Sequence, residues 1–398
     1  MQNSRLPLSI YLLSLCNAYL YICLSLLITI SALIGYELAT DKRLSTLPLA
    51  LQFLSIVCGT VPASMIMERI GRKRGFLLGN SLGILGASLA LVAVFRHEFV
   101  IYCMATMCFG LFSSFSNYYR FTAPEVVAED QKSKAISMVM AGGVIAAFIG
   151  PNLANWSSAL FDVSQFAGPF VVLIAVYLLS MVTVSLAKLP PPVQRSDGYS
   201  GRPTAVILKQ PVFMVAVLCQ MLGYATMNLV MTATPLAMHT HDYGMDSTAL
   251  VIQWHVAAMF APSFVTGHLI KRFGIVPVLI AGVALGLGCV AVNLSGSAVA
   301  HFTIALMLLG ISWNFLFIGG TTLLTETYTD KEKSRAQATN DLLVFSIVSA
   351  SALAAGTLHH LFGFQIVNLS VIPLLLITGI AVLWLAFAKN YRAAPALR

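Results

Sequence analysis

Asp341 is the one carboxylate that the sequence sets inside an apolar run, a little over one turn into the span that begins near residue 336 and reads "QATNDLLVF" from 337. An ionised group at such a depth is costly unless it faces a bundle interior and finds a partner. Arg120, in "SNYYRFTAPE" at 116–125, is the strongly basic residue comparably placed. Together they could form an ion pair that closes one state of the protein and that a solute or a proton interrupts in another. A second concentration of charge is "MERIGRKRGF" at 67–76, where Glu68 is followed by Arg69, Arg72, Lys73 and Arg74. Polar side chains also recur at helical spacing. Asn17, Tyr21 and Ser25 follow i, i+4, i+8, as do Gln220, Tyr224 and Asn228, and Ser113, Asn117 and Arg120 follow i, i+4, i+7. Each set makes one stripe down a helix. With Trp254 and His255, and with Trp313 and Asn314, these stripes describe an amide- and aromatic-lined cavity suited to a small organic solute.

The elements that must position these residues are transmembrane helices. The chain is 58% hydrophobic and only 10% charged, against roughly 25% charged residues in a soluble domain. Apolar stretches of about 20 residues, each long enough to cross a bilayer as a helix, recur near 8–34, 47–67, 76–95, 100–121, 135–161 and 166–186. They recur again near 212–238, 247–270, 276–294, 302–325, 336–358 and 366–388. Twelve spans follow, in an all-α integral membrane protein. The first run is too long for a signal-peptide core and lacks a small-residue cleavage site, so it reads as a retained helix. All seven cysteines fall inside spans without metal-ligand spacing and read as packing residues.

With both termini in the cytoplasm, 20 of the 23 Lys and Arg residues lie on the cytoplasmic side, and only Lys42, Arg43 and Arg96 lie opposite. This positive-inside bias sets the orientation. It also accounts for the net charge of +8, so no nucleic-acid partner is implied. The longest polar interval, 188–211, is rich in proline and glycine and reads as a cytoplasmic linker. It separates an N-terminal six-helix bundle at 1–187 from a C-terminal one at 212–398.

The two halves repeat. "PEVVAEDQKSKA" at 124–135 aligns with "TETYTDKEKSRA" at 325–336, placing Glu125 on Glu326. The Asn17 and Gln220 stripes correspond at an offset of 203, and "SMIMERIG" at 64–71 matches "GHLIKRFG" at 267–274.

The loop between spans two and three resembles G-x-x-x-D-R-x-G-R-[KR], the signature of the major facilitator superfamily (MFS). It reads Ser64, Glu68, Arg69, Gly71, Arg72 and Lys73, with Ser for the first Gly and Glu for the Asp. A degenerate copy between spans eight and nine keeps Gly267, Arg272 and Gly274, with Lys271 at the acidic position. The resemblance covers the whole chain. It implies two six-helix lobes related as parallel repeats, working by rocker-switch alternating access as a monomer. It also implies that the loop cluster gates the cytoplasmic side, Glu68 meeting the start of span eleven and the cations meeting Glu125, Glu129 or Glu326.

The expected function is secondary active transport of a small organic solute, neutral or anionic, with proton coupling as an option. The setting is a bacterial inner membrane, with lipid as the surrounding partner and no cofactor or metal. A multidrug–proton antiporter of the same fold is the alternative. "GGVIAAFIGPNLANW" at 142–156 is similar to the glycine-rich fifth-span motif of that group at Gly150-Pro151, but has Ala146, Ala154 and Asn155 where glycines are expected. A membrane sensor or scaffold is more remote. Enzyme chemistry is not indicated: the sequence has no HExxH run, no phosphate-binding loop and no nucleophile–base spacing.

Overall fold

The computed structural model describes residues 6–41, 44, 47–158, 166–191 and 201–388. The end of the fifth expected span and the interval 192–200 of the expected linker lie outside these residues, as do Lys42 and Arg43. Among the described residues the regular structure is helical throughout, as expected where every backbone amide must be satisfied within its own segment.

Two compact units are present. The first comprises Met1–Tyr199 together with Gln337–Leu342, and the second comprises Ser200–Ala336 with Leu343–Arg398. The first holds α1 (Leu8–Leu38), α2 (Leu47–Ile70), α3 (Arg72–Arg96), α4 (Phe99–Ser116), α5 (Tyr119–Thr122), α6 (Lys132–Ala141), α7 (Gly143–Ser158) and α8 (Ala167–Leu186). The second holds α9 (Thr204–Leu208), α10 (Pro211–Thr240), α11 (Met245–Phe260), α12 (Ser263–Phe273), α13 (Ile275–Ser295), α14 (Val299–Leu324) and most of α15 (Lys333–Phe387). Non-helical backbone at Gly363, φ 79°, divides α15. Eleven helices among the described residues are long and apolar enough to cross a membrane. The stretch of α15 that precedes Gly363 corresponds to the remaining expected span.

Three expected spans are broken rather than continuous. The fourth stops at Ser116, and i−3 bonds from Tyr118 N to Phe115 O (3.1 Å) and from Phe121 N to Tyr118 O (3.1 Å) tighten the chain before and within α5. The fifth divides at Gly142, between α6 and α7. The eighth divides at Ala261 and Pro262, because proline has no N–H to continue the ladder.

The internal repeat is visible in the backbone. Gly71 adopts φ 87°, ψ 158° between α2 and α3, and Gly274 adopts φ 86°, ψ 167° between α12 and α13. This region is essentially confined to glycine. In each case the glycine N–H donates to a carbonyl four residues back, Met67 O or Ile270 O, at 2.9 Å. The two glycines stand at the same offset of 203 as the polar stripes.

Candidate functional site

In the first unit two arginines hold the segment Gln337–Leu342. Arg120 Nη2 donates to Asp341 Oδ1, and the two side chains are 5% and 0% exposed. The same Oδ1 accepts from Asn340 Nδ2 at 2.9 Å, and the Arg120 guanidinium lies 4.5 Å from the Phe121 ring centroid. The turn at Asn117 and Tyr118 that separates α5 from α4 is what carries Arg120 to this position.

Arg72, at the first turn of α3, is the buried member of the opening cluster. Its Nη2 donates to Glu125 Oε1 at 2.7 Å and to Gln337 Oε1 at 2.7 Å, and the guanidinium lies 5.3 Å from the Tyr118 ring centroid. Gln337, Asn340 and Asp341 follow i, i+3, i+4, so one face of α15 supplies all three partners. That spacing was readable, but sequence reasoning singled out Asp341 alone.

The other gate residues have distinct placements. Lys73 meets backbone rather than a carboxylate: its Nζ donates to Ser185 O (2.5 Å) and Ala187 O (3.3 Å) at the C-terminus of α8, where a cation is favoured. Ser64 is buried in α2, Glu68 is half-buried and Arg69 is exposed. Glu129 pairs with Lys132 at 2.7 Å.

In the second unit, Gly267 is buried, whereas Arg272, near the Phe273 ring, and Glu326 are exposed. Glu332 takes the buried acidic position here, with its side chain 1% exposed. It accepts from Arg202 N (2.7 Å), Arg202 Nε (2.8 Å), Arg202 Nη2 (2.8 Å) and Thr329 N (3.0 Å). These bonds, those from Arg202 above all, hold its carboxyl well below the usual carboxylate range. Residues 201–211 therefore dock on the second unit instead of running free as linker. Ile207 is fully buried, and Gln210 Nε2 donates to Thr327 O at 3.0 Å.

Several expected cavity residues lie in helix seams. Asn17 Nδ2 donates to Val139 O at 3.1 Å, tying α1 to α6. Asn314 accepts from Thr266 Oγ1 (2.7 Å) and donates to Met259 O (2.6 Å) and Ser263 Oγ (2.6 Å), joining α14 to α11 and α12. His255 Nδ1 lies 2.7 Å from Leu306 O, again across the α11–α14 seam. Gln220 accepts from Thr321 Oγ1 at 3.1 Å, and Ser113 donates to Phe109 O in its own helix. Asn228 Nδ2 donates to Ser351 Oγ (3.0 Å) and Val348 O (3.2 Å) of α15. These are the hydrogen bonds that small polar groups make between membrane helices. Trp254 is 45% exposed, pointing away from His255 and the packed interior.

Trp313, expected to line the cavity, is instead packed: it and Phe317 are 1% and 3% exposed, and only Tyr224 and Phe345 of their ring cluster are half-buried. Tyr224 meets Trp313 (5.5 Å), Phe317 (5.6 Å) and Phe345 (6.2 Å) edge to face, and Trp313 stacks on Phe317 at 4.8 Å. Tyr21, Ser25, Asn117 and Tyr224 are half-buried, so each is accessible on its own unit.

The sequence profile of the Major Facilitator Superfamily matches residues 11–292 and 216–397, which together span nearly the whole chain. The chain belongs to the Major Facilitator Superfamily. It is 38% identical over 351 residues to the riboflavin transporter RfnT of Brucella anthropi, covering 88% of each chain. It is 28% identical over 377 residues to the MFS-type transporter YddS of Bacillus subtilis, covering 90% of this chain and 86% of that one. Among solved structures it resembles the MFS transporter FucP in its outward conformation, with a TM-score of 0.74 at 16% identity, covering 95% and 98% of the two chains. It also resembles the human organic anion transporter MFSD10, with a TM-score of 0.77 at 11% identity, covering 94% and 100%. At these identities the structural likenesses establish the fold alone. This MFS member is an integral, multi-pass membrane protein that transports a small solute and is not an enzyme.

Proposed function

We propose that this MFS protein is a secondary transporter of riboflavin, working by alternating access. The observation that carries the reading is the 38% identity to RfnT, spread over 88% of both chains rather than confined to one motif. The solute chemistry agrees. Riboflavin is neutral, with a planar tricyclic ring and a hydroxylated chain, and the half-buried Tyr224 and Phe345 rings, backed by the packed Trp313 and Phe317, offer aromatic surface for such a ring.

In this proposal the two arginine networks act as the cytoplasmic latch. Arg120–Asp341 and Arg72–Gln337 hold the segment Gln337–Leu342 in the first unit in one state and release it in another. Exposed ion pairs contribute only about 0–1 kcal/mol. These groups are buried, and breaking a buried pair on one side costs several times more. Such a network can bias a two-state equilibrium.

Uptake of radiolabelled riboflavin into proteoliposomes tests the proposal. Saturable uptake that excess unlabelled flavin suppresses supports it. Uptake no greater than in protein-free vesicles overturns it, and transport of unrelated hydrophobic cations instead would replace it with multidrug export.

A further inference from the structure

The two copies of the loop motif put their charges to different use. In the first, Arg72 turns inward to Glu125 and Gln337, and Lys73 caps α8. At the offset of 203 their counterparts are Ile275 and Val276, so the second copy has no cation to send inward from these positions. Glu68 is replaced by Lys271, while Arg69 is kept as Arg272. Lys271 and Arg272 stand in the last turn of α12, and both are exposed. A motif that has exchanged its acid for a second outward cation suits an anion outside the bundle rather than a latch within it.

The helix that carries them has its polarity arranged for lipid. Ser263, Thr266, Gly267 and Ile270 form the buried face of α12, and Ser263 and Thr266 bond Asn314 of α14. Phe264, Val265, His268, Lys271 and Arg272 follow i, i+1, i+4, i+7, i+8 and make the exposed face. Phe264 and Val265, near the start of α12, are each more than half exposed. Small polar groups inward and large apolar ones outward are the reverse of a water-facing helix and call for hydrocarbon outside. At a rise of about 1.5 Å per residue, Lys271 and Arg272 lie about 10 Å beyond that apolar pair. The headgroup layer is about 5–8 Å thick on each side of the hydrocarbon core. One stripe thus passes from the level of acyl chains to that of phosphates.

Three features favour negative charge at the polar end. The Arg272 guanidinium lies 5.2 Å from the centroid of the Phe273 ring, which is itself more than half exposed, as aromatic side chains at a membrane interface are. A guanidinium so placed can donate two parallel bonds to a phosphate. Next, α13 begins at Ile275 with no side-chain cap, so its N-terminal dipole adds positive potential to the same corner. Finally, Glu326 and Asp330, which follow α14 at this end, are outnumbered by Lys271, Arg272, Lys331, Lys333 and Arg335, and Glu332 is already engaged by Arg202.

We propose that the outer face of α12 and the α12–α13 corner bind an anionic phospholipid. Its acyl chains lie along Phe264 and Val265, and its phosphate meets His268, Lys271 and Arg272. In the expected topology this lipid belongs to the cytoplasmic leaflet. The second motif copy then anchors its unit to the membrane surface, while the first copy serves the latch. The inference does not depend on which solute is carried.

The test titrates the purified full chain, in neutral detergent, with phosphatidylglycerol and with phosphatidylcholine of the same acyl chains, and counts bound lipid by native mass spectrometry. One cation at a membrane surface is worth about fivefold in affinity. The first phosphatidylglycerol should therefore bind about 25-fold more tightly than phosphatidylcholine. Lys271→Gln and Arg272→Gln should each reduce that preference about fivefold, and together abolish it. Phe264→Ser should weaken both lipids alike and keep the preference. Arg74→Gln, which removes an exposed cation from the first copy, should leave the preference unchanged. An undiminished preference in the Lys271→Gln, Arg272→Gln double variant overturns the site. A loss in Arg74→Gln equal to that in Arg272→Gln also overturns it, since the basic surface would then be diffuse. Millimolar sn-glycerol 3-phosphate should not displace the lipid; displacement would make the corner a phosphate site and remove the lipid assignment.

Discussion

Asp341→Asn tests the latch most directly, because its consequences follow from what the substitution leaves behind. The amide keeps the shape of the carboxylate and one acceptor oxygen, but the Arg120 guanidinium, 5% exposed, loses its counter-charge. Removing one member of a buried pair costs about 3–5 kcal/mol, since the surviving charge stays desolvated. At about 2–4 °C per kcal/mol for a unit of this size, the loss lowers the melting temperature by on the order of 10 °C if the segment stays in place. If the segment is released instead, the same energy appears as a population shift of about 100-fold or more. Both readouts are accessible. A thiol-reactive dye reports unfolding through the buried Cys16, Cys23, Cys219 and Cys289. A cysteine placed at Leu342 reports release of the segment through its labelling rate. The double variant Arg120→Gln, Asp341→Asn should cost less than the two singles together, because no charge is left alone. The exchange Arg120→Asp, Asp341→Arg should recover part of the transport that each single change abolishes. Wild-type melting and wild-type labelling in Asp341→Asn would refute the latch, whatever the geometry of the pair.

Three further outcomes follow from other parts of the molecule. Gly274→Ala should lower stability by about 1–3 kcal/mol in a melting assay; its Cβ would meet only Pro277 Cδ at 4.0 Å, so the cost is backbone strain alone. Glu332→Gln should free residues 201–211, read as faster tryptic cleavage after Arg202. Because the folded carboxyl of Glu332 is held below its ordinary value of 4.5, docking should be constant from pH 8 down to about 5 and weaken only as pH falls further, toward the folded value. Asn314→Leu should cost about 1–3 kcal/mol of stability by stranding Ser263, Thr266 and Met259 O, without changing KM for the solute.

Most of the fold was legible because a bilayer leaves few solutions: apolar length gives the helices, and the duplicated motifs give the two halves. The Gly71 and Gly274 backbones make that duplication concrete. Arg120 and Asp341 were legible as partners for the same reason, since the sequence offers little else at comparable depth. The breaks were harder to read. Pro262 announces one, but Asn117 and Gly142 are ordinary residues for a membrane helix, and their role depends on what the chain packs against. Loop chemistry was the least legible. Arg202 and Glu332 look like two solvated charges among many, and only folding shows one carboxylate collecting four donors. Lys73 likewise carries no mark that it will cap α8 instead of meeting an acid.

The asparagines show why a polar residue in an apolar helix cannot be assigned from its type. Asn314 and Asn293 are both amides on long apolar helices of the second unit, and only the first looked like a cavity residue from its neighbours in sequence. In the structure Asn314 uses both amide hydrogens and its oxygen on Met259, Ser263 and Thr266, so it has little left to offer a ligand. Asn293 uses its nitrogen on Asn368, and its oxygen stays buried with no hydrogen-bond partner among the described residues. The property that separates packing from recognition is the hydrogen-bonding capacity a side chain has left after its neighbours are satisfied. That remainder depends on partners as distant in sequence as Asn368, 75 positions away. It therefore becomes visible only once the helices are side by side.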